Sequence, residues 1–105
     1  MDDYRFDFDR QCFCVPAAVE PVTVDVRDGR ITRVVSRGTG QPVEPAENII
    51  WYTIEELFGL IEQAEAEGTT VSVQYDERGY PALITIGNLA ADAGVEYRIT
   101  EVTPL

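Results

Sequence analysis

The chain has no lysine and no histidine, and only two of its 105 residues are cysteine. Its eight basic residues are therefore all arginine, set against 19 acidic ones for a formal net charge of -11. Each shortage removes a class of chemistry. Without histidine there is no Ser-His-Asp triad, no Cys-His pair and no imidazole metal ligand. Without lysine there is no Schiff-base nucleophile. The negative field disfavours the phosphate backbone of DNA or RNA, so no nucleic-acid partner is expected. No run of about 20 apolar residues occurs, so no segment is expected to cross a membrane as a helix.

What remains is ordinary globular composition, 45% hydrophobic and 26% charged. The length suits one domain over residues 1–105. From Tyr4 to Cys14 the even positions read Tyr4, Phe6, Phe8, Arg10, Cys12 and Cys14. The odd positions read Arg5, Asp7, Asp9, Gln11 and Phe13. This period-two alternation predicts a half-buried strand ending before Pro16. Val22, Val24 and Val26 alternate with Thr23 and Asp25 as a second strand. Asp28-Gly29 then suits the type I′ turn of a hairpin, and Ile31 to Val35 is the return strand. Residues 37–50, broken by Gly38, Gly40, Pro42 and Pro45, read as a connecting loop.

Thr53 followed by Glu56 forms a capping box at a helix start. Ile54, Leu57, Phe58, Ile61 and Ala64 make an apolar stripe, and Gly68 supplies the stop. Val71 to Tyr75, Pro81 to Ile86 and Val95 to Ile99 predict three further strands, with a turn at Asp76 to Gly79 and a small-residue loop from Gly87 to Gly94. The order β-β-β-α-β-β-β predicts an α+β fold. An antiparallel sheet of five to six strands should carry one helix, about 54–67, on one face.

With these elements placed, the chain resembles the bacterial family of unknown function DUF6174, typically small exported proteins or lipoproteins. The likeness is carried by Tyr4-Arg5-Phe6, Cys12-Phe13-Cys14, Val24-Asp25-Val26, Asp28-Gly29 and Gly40-Gln41-Pro42-Val43. It continues through Thr53-Ile54-Glu55-Glu56-Leu57-Phe58, Tyr75-Asp76 and Gly79-Tyr80-Pro81. It departs at Asn88 to Gly94, where the family has a more acidic segment, which weakens any ion-binding role borrowed for that loop. The resemblance implies an α+β fold and export, and it implies no activity. The acidic start Met1-Asp2-Asp3 lacks the basic and apolar regions of a signal peptide. It fits either a cytoplasmic start or a chain whose export signal has been removed.

Cys12 and Cys14 are the first candidate site. On a regular strand they would share a face with Cα atoms roughly 6.5 Å apart, near the upper limit of disulfide geometry. They read as a structural disulfide or buried thiols, as a pair open to thiol exchange, or as ligands for copper(I) or zinc. Trp51, Tyr52, Tyr75 and Tyr80 are candidate interaction residues, each also explicable by local packing. Asp7 and Asp9 have the residue types of a carboxylate enzyme or a hard-cation site, but read more simply as a solvated strand face.

No catalytic base of the usual kind is present and no cofactor motif is found, so no cofactor is expected. The expectation is a non-enzymatic extracytoplasmic module, binding or structural, with a protein or small-molecule partner. The alternative is a metal- or thiol-handling protein using Cys12 and Cys14.

Overall fold

A computed structural model describes residues 2–44, 49–87 and 94–105. Six strands form one antiparallel sheet: β1 (Tyr4–Cys12), β2 (Val22–Arg27), β3 (Arg30–Ser36), β4 (Val71–Tyr75), β5 (Pro81–Ile86) and β6 (Val95–Pro104). The spatial order is β3-β2-β1-β6-β5-β4. Two three-stranded meanders are thus joined through β1 and β6, the first and last strands, at the centre of the sheet. The connection between the outer strands β3 and β4 carries α1 (Ile54–Ala66), the one α-helix among the described residues. The expected α+β order is the observed one.

Local chemistry sets the boundaries. Asp28 and Gly29 both have positive φ, 54° and 75°, as a type I′ turn requires. The capping box forms in full: Thr53 Oγ1 accepts from Glu56 N (3.1 Å), and Glu56 Oε1 accepts from Thr53 N (2.8 Å). At the other end Gly68, with φ 77°, closes a Schellman motif in which Thr69 N donates to Ala64 O and Gly68 N to Glu65 O.

The inner sheet face supplies Tyr4, Phe6, Phe8, Val22, Val24, Val26, Ile84, Tyr97, Ile99 and Val102, all buried. Leu57 and Ile61 of α1 pack against them, over β4 and β5. Val43, Trp51 and Tyr52, on the connection leading to the helix, pack against the same core. The outer face is polar. Arg5 grips Asp25 through two bonds of 2.6 and 3.0 Å, and Arg37 pairs with both Asp7 and Asp9.

Two expectations are corrected in detail. The first strand stops at Cys12 rather than Cys14, because the chain bends at Phe13 and Cys14 before a 3-10 turn at Pro16–Val19. The last strand runs to Pro104, five residues past Ile99. Its extension depends on a bulge: Asp7 faces Thr100, whereas Arg5 faces Thr103. Glu101, with φ 54°, sits in the extra step and returns Val102 to the core. Of the small-residue loop expected from Gly87 to Gly94, residues 88–93 lie outside the described residues, as does Pro45 in the preceding connection.

Candidate functional site

Arg10 stands on the inner, apolar side of β1, between Phe8 and Cys12 and opposite Tyr97 of β6. Its guanidinium lies against four aromatic rings. The carbon is 5.0 Å from the Trp51 ring centre, 5.5 Å from Phe8, 5.7 Å from Tyr97 and 5.9 Å from Tyr52. Cation–π attraction holds it there, and the rings brace one another: Phe8 stacks on Tyr97 at 5.7 Å, with Trp51 edge-on to Phe8 and Tyr52 edge-on to Tyr97. Nη2 donates to the Ile50 carbonyl, which ties the chain before α1 to the sheet.

The site is not fully satisfied. Arg10 Nε is buried and has no hydrogen-bond partner among the described residues. Nor does any described carboxylate form an ion pair with Arg10, whereas Arg5 and Arg78 each have one and Arg37 has two. Burial pulls the guanidinium down from its usual pKa, and it pushes the Tyr97 phenol up to about 12.

Beside this aromatic box lies a cavity of about 220 Å³ lined by Arg10, Cys12, Cys14, Ala18, Ile50, Tyr52, Val95 and Tyr97. Cys12 and Cys14 are disulfide-bonded with Cα atoms 5.4 Å apart, closer than the extended-strand spacing because of the bend after Cys12. The bond joins the end of β1 to an exposed turn. Phe13, between the two cysteines, is 70% exposed, and Ile50 and Val15 are 58% and 45% exposed. In the bonded state the sulfurs offer no thiolate to a metal. Among the described residues no three Cys, Asp or Glu side chains gather at one point.

The four aromatic candidates divide between two places. Trp51 and Tyr52 belong to the Arg10 box. Tyr75 and Tyr80 flank the β4–β5 turn: Tyr75 stacks on Phe58 of α1 (6.3 Å), and Tyr80 lies under Arg78 (5.3 Å). Tyr80 helps line a second cavity, of about 250 Å³, with Tyr4, Ile54, Glu55, Phe58, Arg78 and Gly79. Here the polar groups are matched. Tyr4 Oη donates to Glu55 (2.6 Å) and accepts from Ile54 N (2.9 Å). Arg78 donates to Asp76, the Val102 carbonyl and Tyr80 Oη. This second cavity is larger, but among the described residues no buried side-chain polar atom lining it is unmatched.

Asp7 and Asp9 form no acid pair over a cleft, since Arg37 bridges them on the outer face. Asp7 also accepts from Thr23 Oγ1 at 2.7 Å. Spacing did not single out Arg10, Ile50 or Tyr97. The one available signal was a charged residue on the apolar side of an alternating strand. The partners that build the box come from the 50–52 segment and β6, which only the fold brings together.

No curated protein and no solved structure matches the chain. The model of DUF6174, a family of unknown function, matches residues 1–104 and so takes in the sheet, the helix and the Cys-Phe-Cys tip together; the chain belongs to that family.

Proposed function

We propose that the chain is a non-enzymatic binding module of an extracytoplasmic compartment, and that it takes its ligand at the Cys12-Phe13-Cys14 tip. One observation carries this reading. A large aromatic side chain is held in solvent between two bonded cysteines, beside an apolar cavity and two further exposed apolar residues. Folding alone gives no reason to tie down an exposed phenylalanine, while recognition does. The disulfide supports the compartment in this reading, because such bonds persist outside the reducing cytosol.

The test is an NMR screen of small apolar molecules, neutral and charged, against the oxidised protein. Shift changes should centre on Phe13, Cys14, Ile50 and Tyr97, and Phe13→Ser should weaken binding about tenfold or more. Changes centred on Tyr80 and Phe58, or binding unaffected by Phe13→Ser, would contradict the reading.

A second reading, thiol or metal handling, draws on the exposure of Cys14 beside a guanidinium that would favour its thiolate. It requires the bond to be reduced first, with two electrons and two protons entering. Intact mass of protein prepared without reductant tests the metal arm of this reading: a bonded pair should leave both cysteines unalkylated after unfolding and would remove metal ligation. Thiol exchange is tested by reducing and reoxidising the pair.

A further inference from the structure

The Arg10 box has the construction of a receptor for one negative charge. The guanidinium is half-buried, lies 5.0 to 5.9 Å from four ring centres and is tied to the Ile50 carbonyl, so its donors are positioned before any ligand arrives. One donor is used on Ile50 O, and the buried Nε is unmatched among the described residues. A half-buried charge with a buried donor unmatched and no ion pair among the described residues is costly in a folded protein. Arg27, Arg30, Arg33 and Arg98 likewise have no ion pair among the described residues, but they are exposed to water, whereas Arg10 is half-buried. We propose that the missing partner is a ligand: the carboxylate of a small apolar monocarboxylic acid, received by Arg10 with its hydrocarbon body against Ala18, Ile50, Val95 and the Cys12–Cys14 bridge.

The ligand class follows from size and charge. At about 220 Å³ the cavity falls below the roughly 300–1,000 Å³ of drug-sized sites. Its lining is mainly apolar apart from Arg10 and the tyrosines. One guanidinium balances one charge, and the chain's net charge of -11 resists a doubly charged phosphate that only one cation would hold. A flat carboxylate matches the planar fork. The inference rests on the tip as the binding surface and adds what is read there.

Trp51, the only tryptophan, lies 5.0 Å from the guanidinium, so its fluorescence reports occupancy. Phenylacetate and the neutral phenylacetamide are titrated into the oxidised protein, with sodium chloride as the ionic control. Acetyl-Gly-Phe is added to represent a peptide end. Wild type should bind phenylacetate about tenfold or more tighter than the amide. Arg10→Met should bind the two alike, and Arg10→Lys should keep part of the preference. Tighter binding of acetyl-Gly-Phe would support the same carboxylate chemistry with a chain end as its source.

Equal binding of acid and amide by the wild type would overturn the proposal. So would no response to any acid, or a preference that survives in folded Arg10→Met. If Arg10→Met fails to fold, the wild-type comparison and Arg10→Lys still decide. Equal binding that Phe13→Ser abolishes would leave the tip as the surface while removing the carboxylate from it.

Discussion

The two ends of β1 solve one problem in opposite ways. Each buries a polar group among aromatic rings on the inner face of the sheet. At the Tyr4 end the hydroxyl gives its proton to Glu55 and receives one from Ile54 N, so the group locks the helix start onto the sheet. Six residues on, Arg10 keeps a buried donor unmatched and has no described carboxylate beside it. Both ends border a cavity, and the larger one lies at the satisfied end. Cavity size alone is therefore a poor guide to a site. Unmet chemistry is the better one, because folding accounts for a satisfied group and leaves an unsatisfied one to be explained.

The comparison can be broken most violently at its shared support. Leu57 is fully buried where the helix meets the sheet, so Leu57→Ala should cost about 2–5 kcal/mol by urea denaturation. A loss well under 1 kcal/mol would mean that α1 does not anchor the Tyr4 end.

A smaller effect should appear at high pH and at both ends. Burial raises the phenol of Tyr97 from 10.0 to about 12, and burial followed by the Glu55 contact raises that of Tyr4. Folding therefore favours the neutral phenols. The stability they contribute is complete below pH 10 and should be lost as pH climbs from 10 through 12. Urea midpoints measured across that window should fall, and less steeply in Tyr97→Phe. An unchanged slope would detach Tyr97 from the alkaline transition.

The smallest effect lies away from either cavity. Glu101 holds φ 54°, a conformation costly for a side-chain-bearing residue, with its side chain exposed. Glu101→Gly should therefore stabilise by roughly 0.5–1 kcal/mol, read as a higher denaturation midpoint. Destabilisation would mean that the Glu101 side chain supports the bulge.

Glu101 also shows why the sequence was legible only in part. The period-two pattern marked β1, the Asp28-Gly29 hairpin and the capped helix because each is written in adjacent residues. Val102 falls out of phase with Tyr97 and Ile99, so the pattern stops at Ile99. The bulge that restores phase is a pairing event with β1 and is visible only in the register. In the same way Thr32 is the extra residue between Arg33, opposite Asp25, and Ile31, opposite Val26. The candidate site follows the same rule. The Cys12–Cys14 pair and the Trp51-Tyr52 segment can be picked out locally. Their meeting around Arg10 depends on a connection from β3 to α1 passing over the sheet, and no spacing in the chain encodes that.

The most direct measurement is paired urea denaturation of Tyr4→Phe and Arg10→Met against wild type at neutral pH. Tyr4→Phe strands the buried Ile54 amide and takes the donor from Glu55, and should cost about 1–3 kcal/mol. Arg10→Met removes a half-buried charge that has no described ion-pair partner, keeps a long apolar stem, and should change stability by no more than about 1 kcal/mol. If Arg10→Met instead costs about 3 kcal/mol or more, Arg10 is a structural keystone and the difference between the two ends of β1 disappears.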